Sequence, residues 1–124
     1  MAVSSPRRGE IWFVKLPSDP ADKLPRPVVV VSIEERNRNE RANTILVAPL
    51  STTLRDVPTW IQLSPGETGL REASSLQAEN ITTVRKEILM APRTRLRSLS
   101  ESRLREIAGC VVKALGFLPE ELRD

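Results

Sequence analysis

The chain has 124 residues, enough for one domain (1–124) around a modest core, and its 40% hydrophobic and 28% charged content is that of an ordinary soluble globular protein. It contains no histidine and no tyrosine, which excludes histidine-paired nucleases, Ser-His-Asp hydrolases and zinc sites built from His and Cys. Any catalysis has to use carboxylates, Arg, Lys or hydroxyls, with no metal or other cofactor expected, and the net charge of +3 leans mildly toward a polyanionic partner.

No apolar run approaches a membrane span, and the opening MAVSSPRRGE lacks the hydrophobic stretch of a signal peptide. A cytoplasmic protein with no membrane partner is therefore expected. The one cysteine, Cys110, cannot form an internal disulfide and falls within a helical pattern, so it reads as core.

In chain order, GEIWFVKL (9–16) alternates, placing Trp12, Val14 and Leu16 on one face of a strand. PSDPADKLPRP (17–27) holds four prolines and reads as a stiff loop. PVVVVSI (27–33) is a β-branched run suited to a central strand covered on both faces. EERNRNERAN (34–43) reads as a solvated, charged connection, and TILVAPL (44–50) as a further strand.

PTWIQL (58–63) is a short strand, SPGETGL (64–70) is turn chemistry, and SSLQAENITTV (74–84) gives one or two extended segments. Arg93, Arg95 and Arg97 recur at period two, as on a strand with one basic face; solvated charge and a phosphate track both fit. Ser98 with Glu101 forms a capping box, and Leu104, Ile107, Ala108, Val111, Val112, Leu115 and Leu118 follow at helical spacing. Gly116 and Pro119 stop that helix, on which Arg103, Arg105 and Lys113 lie away from the apolar stripe and are expected to face solvent. Short strands followed by one amphipathic helix predict an α+β domain, a small antiparallel barrel or curled sheet.

Antiparallel partners share a constant index sum. Closing strands 27–33 and 44–50 with Ile33 opposite Thr44 gives 33 + 44 = 77, and 26 + 51 = 77 brings Arg26 beside Ser51. Pro27 holds Arg26 in extended geometry and Pro25 stiffens its other side. A fixed guanidinium beside the hydroxyls of Ser51, Thr52 and Thr53 would cradle a phosphate, or the added charge of a phosphorane transition state. The alternative for Arg26 is an ion pair, with Glu34 or Asp22 as partner. Trp12 and Trp60 read as core or rim packing, because aromatics at 3% supply base stacking poorly.

At these residues the chain resembles the MazF/PemK family of toxin endoribonucleases. RRGEIWFVKL (7–16) is similar to the family's opening strand, RPVVVVS (26–32) to its R-P-led strand, and VAPLSTT (47–53) to the strand ending in hydroxyls. GLREASSLQAENITTV (69–84) is similar to the segment carrying an acidic residue before an I-x-T strand. The resemblance implies an SH3-like antiparallel β-barrel with a C-terminal amphipathic helix, a homodimer, and metal-independent cleavage of single-stranded RNA held in check by a cognate antitoxin. It further implies Arg26, Ser51 and Glu79 as catalytic residues, and Thr52, Thr53, Ser74 and Gln77 as RNA contacts.

Three features depart from the family pattern. The 17–27 loop is shortened, Gln77 stands where some members have arginine, and Ser51 replaces the usual threonine while keeping its hydroxyl. The competing readings are a CcdB-like toxin that binds gyrase and a catalytically inactive nucleic-acid-binding relative, both on the same fold.

Overall fold

The valine run sets the architecture, because a strand dry on both faces needs an apolar layer on each. The structure, a computed structural model, describes residues 5–92 and 97–123. Six antiparallel strands form it: β1 (Ile11–Val14), β2 (Arg26–Val30), β3 (Thr44–Ser51), β4 (Trp60–Leu63), β5 (Ser74–Gln77) and β6 (Thr82–Arg85). They run in the order β1-β2-β3-β5-β4, with β6 also on β3. The ladders trace an open, curled path, so the antiparallel α+β reading holds with the barrel left unclosed.

Val28, Val29 and Val30 are each fully buried, and successive valines enter opposite layers. Val29 joins Ile11, Ala48, Leu50, Leu76, Ile107 and Cys110 between the sheet and the C-terminal helix. Val28 and Val30 join Val14, Leu16, Ile45, Val47 and Val84 on the other face, with Trp12 packed against them. The face predicted for Trp12, Val14 and Leu16 is thus observed. Cys110 is core, and burial pushes its thiol up, away from the reactive thiolate.

Strand β3 is the hub. Its first half pairs with β6 from Thr44↔Arg85 to Val47↔Thr82, and it meets β2 at Val30↔Val47, Val29↔Ala48 and Val28↔Pro49. Each of those β2–β3 pairs sums to 77, the expected register. Beyond Pro49 the strand changes partner, and Leu50 and Ser51 pair with Leu76 and Ser75 of β5.

The charged connection is not a plain solvated loop. Glu34–Arg38 forms a helix, α1, whose Asn37 is 1% exposed. The reason is a small polar core: Asn37 Nδ2 donates to Ser32 O (2.9 Å) and Glu34 Oε1 (2.7 Å), and Ser32 Oγ donates to Asn37 Oδ1. Arg36 ties the helix to β3 through Thr44 O (3.0 Å). The 64–70 turn contains a single helical turn, α2 (Pro65–Thr68), with Ser64 and Glu67 in a capping box.

The C-terminal helix, α3, spans Glu101–Ala114. Its N-cap is Ser100, which accepts from Arg103 N (3.2 Å), and not Ser98. Residues before the helix are committed elsewhere: Leu99 is buried and donates to Gly9 O (3.0 Å), while Arg97 N donates to Thr68 O (3.0 Å). At the other end Gly116, at φ +90°, closes a Schellman motif: Phe117 N bonds Val112 O (3.2 Å) and Gly116 N bonds Lys113 O (2.9 Å). Arg93 and Arg95 of the basic series lie outside the described residues. No helix among the described residues is long and apolar enough to cross a membrane.

Candidate active site

Arg26 opens β2 where β2 pairs with the end of β1, at Val14↔Arg26. Its guanidinium is claimed from one side. Nη2 donates to Asp19 Oδ1 (2.7 Å) and Nε to Asp19 Oδ2 (3.2 Å), so the partner is Asp19 and not Asp22 or Glu34. Glu34 instead accepts from Arg8 N and Asn37. Asp19 closes a turn in which its N donates to Leu16 O (2.9 Å) and Leu16 N returns to Oδ2 (3.2 Å).

Glu79 approaches from the other end of the sheet. After β5 the chain makes one 3-10 turn, Ala78–Asn80, pinned by buried Ala78 and by Ala78 N donating to Thr59 O (3.0 Å). That turn turns Glu79 outward, where Thr59 Oγ1 donates to Oε1 (2.9 Å) and Trp60 Nε1 to Oε2 (2.7 Å). Each carboxylate oxygen keeps a further lone pair for a substrate. Trp60 is a rim residue whose ring nitrogen fixes the acid.

Arg26, Gln77 and Glu79 line one open groove of about 490 Å³ together with Ser18, Pro49 and Thr82. The structure therefore brings two of the three expected catalytic residues and one expected RNA contact to a single surface. Gln77 Oε1 accepts from Asn80 Nδ2 (2.9 Å), which leaves its amide nitrogen to face a ligand.

Ser51 is only loosely joined to this set. It is half-buried and pairs with Ser75, and among the described residues no hydrogen bond or ladder pair links it to Arg26. Pro49 explains this. It has no N–H to give the ladder, and β3 leaves β2 there for β5. Ser51 lies two residues, ~7 Å, beyond Pro49 and shares its strand face. Ser51 Oγ accepts from Thr53 N (3.1 Å), and Thr52 and Thr53 are exposed. Ser74 is 3% exposed within β5 and donates to Glu72 O (3.5 Å), which takes it out of reach of a ligand in the groove.

Asp19, Ser18 and Thr82 were not singled out from the sequence. The turn that brings Asp19 back to Arg26 runs between prolines and carries no hydrophobic period. Its one legible trace is an aspartate three residues after Leu16, within reach of that residue's backbone amide.

A larger hollow of about 620 Å³ lies between α1 and β6, beside Trp12, Arg38, Arg85 and Lys86. Two of its three cations, Lys86 and Arg85, already have protein partners. Lys86 Nζ donates to Arg36 O and Asn39 O (both 2.9 Å), closing the end of α1, and Arg85 pairs with Glu87 (3.2 Å). Converging unspent donors and a carboxylate occur in the smaller groove, which is the candidate site.

The sequence model of the PemK-like, MazF-like toxins of type II toxin-antitoxin systems matches residues 7–115. The chain belongs to this family. The probable endoribonuclease MazF5 of Mycobacterium tuberculosis is 31% identical over 102 residues, covering 82% of this chain and 85% of that one. Endoribonuclease MazF9 of the same organism is 36% identical over 114 residues, covering 81% and 90%. An endoribonuclease from a mycobacterial species, solved in complex with its cognate antitoxin, superposes with a TM-score of 0.70 at 25% identity, covering 91% of this chain and 97% of that one. The family model spans every strand and all of α3, so the groove with Arg26 and Glu79 falls inside the matched region.

Proposed function

We propose that the chain is the toxin of a toxin–antitoxin pair and cleaves single-stranded RNA at internal phosphodiesters without a metal. The observation that carries this reading is one groove holding both an oriented arginine with unspent donors and a carboxylate, in a chain without histidine. In this reading the ribose 2′-oxygen attacks its own 3′-phosphorus while Glu79 takes the 2′-OH proton. Arg26 holds the non-bridging oxygens as the phosphorane gains charge. The P–O5′ bond breaks, leaving a 2′,3′-cyclic phosphate and a 5′-OH whose proton comes from water. Ser51, at the end of β3, takes a phosphate oxygen, and Gln77, Thr52 and Thr53 contact the RNA along the same edge.

The likeness to an endoribonuclease solved with its antitoxin supports a peptide antitoxin as partner. A homodimer is supported by the family and by apolar residues left open after α3, where Leu115, Phe117, Leu118 and Leu122 are each more than half exposed. A gyrase-binding toxin would not require an arginine fork and a carboxylate in one groove.

The test is incubation of the purified protein in EDTA with mixed-sequence RNA and its all-deoxy counterpart, beside Arg26→Lys, which keeps a cation against Asp19 but loses the planar fork. RNA alone should be cut, with cyclic phosphate ends, and the variant should be slower by ~10²-fold or more. No cleavage of any RNA by folded protein would sink the enzyme reading.

A further inference from the structure

Asp19 is among the most deeply placed acids near the groove, with a side chain 4% exposed against 21% for Arg26. A carboxylate this dry must be paired, and both its oxygens are: one by Nη2, the other by Nε and Leu16 N. Both ends of the pair are anchored. Leu16 sits in the core and carries the turn, and Arg26 stands in the β1–β2 ladder.

A guanidinium has five N–H donors on a rigid plane. Asp19 takes one on Nε and one on Nη2, the side edge, and no other acceptor among the described residues takes the remaining three. Two of those three, one on Nη1 and one on Nη2, form the end edge, a two-pronged face suited to two phosphate oxygens. The position of Asp19 decides its role. Pro17 and Ser18 line the groove and Asp19 does not, so it stands behind the arginine and does not compete with phosphate for the free edge.

We propose that Asp19 is the positioning residue of the reaction, a buried clamp that aims the end edge of Arg26 into the groove. The inference rests on Arg26 acting on phosphate, as proposed above. Without the clamp the same arginine still meets RNA, but rotates about its last torsions, and misplacement by about 1 Å can cost ~10²-fold in rate. The effect therefore falls on kcat, with KM little changed.

The experiment compares wild type, Asp19→Asn, Arg26→Lys and the double variant, using steady-state cleavage of a defined RNA with rates normalised to folded fraction by circular dichroism. Asp19→Asn should lower kcat by ~10- to 100-fold, leave KM within about threefold, and add less than about twofold on Arg26→Lys. An unchanged or faster Asp19→Asn, or effects that multiply in the double variant, would overturn the clamp. Wild-type activity on RNA decides the proposed function separately. A second measurement needs neither a variant nor activity: solvent exchange of the Arg26 Nε–H by proton–nitrogen NMR. Protection of at least tenfold relative to the exposed Arg55 or Arg71 is expected, and exchange as fast as theirs overturns the proposal.

Discussion

Two arginines in this molecule grip a carboxylate in the same way and end in different conditions. Arg103 of α3 donates from Nε to Glu67 Oε1 (2.7 Å) and from Nη2 to Oε2 (3.1 Å), the side-edge fork that Arg26 makes to Asp19. Its remaining nitrogen, Nη1, is also taken, by both oxygens of Glu106 (3.1 and 3.3 Å), and Nη2 reaches Gln62 O (3.4 Å). Arg103 is a finished clasp, tying helix to sheet. Arg26 is half finished, and its open half faces a groove. What separates these two arginines is not burial or charge but the number of donors left over.

The difference can be broken first at Arg26. Removing it with Arg26→Ala strands a nearly dry carboxylate, and loss of one partner of a buried pair costs ~3–5 kcal/mol. Urea unfolding should show that loss, and Asp19→Asn/Arg26→Met should recover part of it by removing the charge as well. An Arg26→Ala protein as stable as wild type would mean that Asp19 is not held dry. It also follows that alanine at Arg26 confounds activity with folding, which is why lysine is the better probe.

Breaking Arg103 should cost less, because that clasp is partly open to water. Arg103→Ala is expected to lower stability by ~1–2 kcal/mol while activity per folded molecule stays within about twofold. The Arg103 bonds, helped by Ser64 N, hold the Glu67 carboxyl down to about 2 from its ordinary 4.5. A lowered folded-state value means that the contribution is whole above pH 4.5 and drains as the pH falls toward 2. Thermal melts from pH 6 to pH 2 should therefore fall more steeply for wild type than for Arg103→Ala; parallel curves would contradict the assignment.

The smallest effect concerns the other groove residue. Trp60→Phe deletes the 2.7 Å bond to Glu79 Oε2 while keeping most of the ring's bulk. A loss of about 1 kcal/mol in positioning, roughly fivefold in kcat, is expected, with stability nearly unchanged. A rise in KM larger than the fall in kcat would make Trp60 a base contact instead of a support.

Much of this was legible in the chain itself. The β2–β3 register followed from index arithmetic, and the valine run announced a strand dry on both faces. Arg26 reached a groove beside Glu79 as expected. The arithmetic failed at one point, the pairing of Arg26 with Ser51, because it assumed that two strands stay partners to their ends; Pro49 releases β3 to β5 first. Asp19 stayed hidden because loop closure between prolines follows no hydrophobic period. Arg103 and the helix at Glu34–Arg38 escape the sequence reading for a common reason. Polar and charged residues there read as solvated, yet Asn37 is drawn inward by Ser32 and Glu34 where the backbone bends, and Arg103 is held by Glu67, far away in sequence; neither follows a hydrophobic period. Ser98 and Ser100 are chemically equal as caps, and only the backbone commitments of Arg97 and Leu99 choose between them.

Strand β3 serves two masters, since Val47 is paired with Val30 on one side and Thr82 on the other. Neither neighbour can depart without uncovering it, so its central amides should exchange with deuterium only when the whole molecule opens. These pairings also join segments separated by tens of residues, which slows assembly compared with a helical protein of equal size. A newly made chain would thus carry no working groove until β6 has been synthesised and has docked. Activity would switch on late, as an all-or-none event, and not build up as the polypeptide grows.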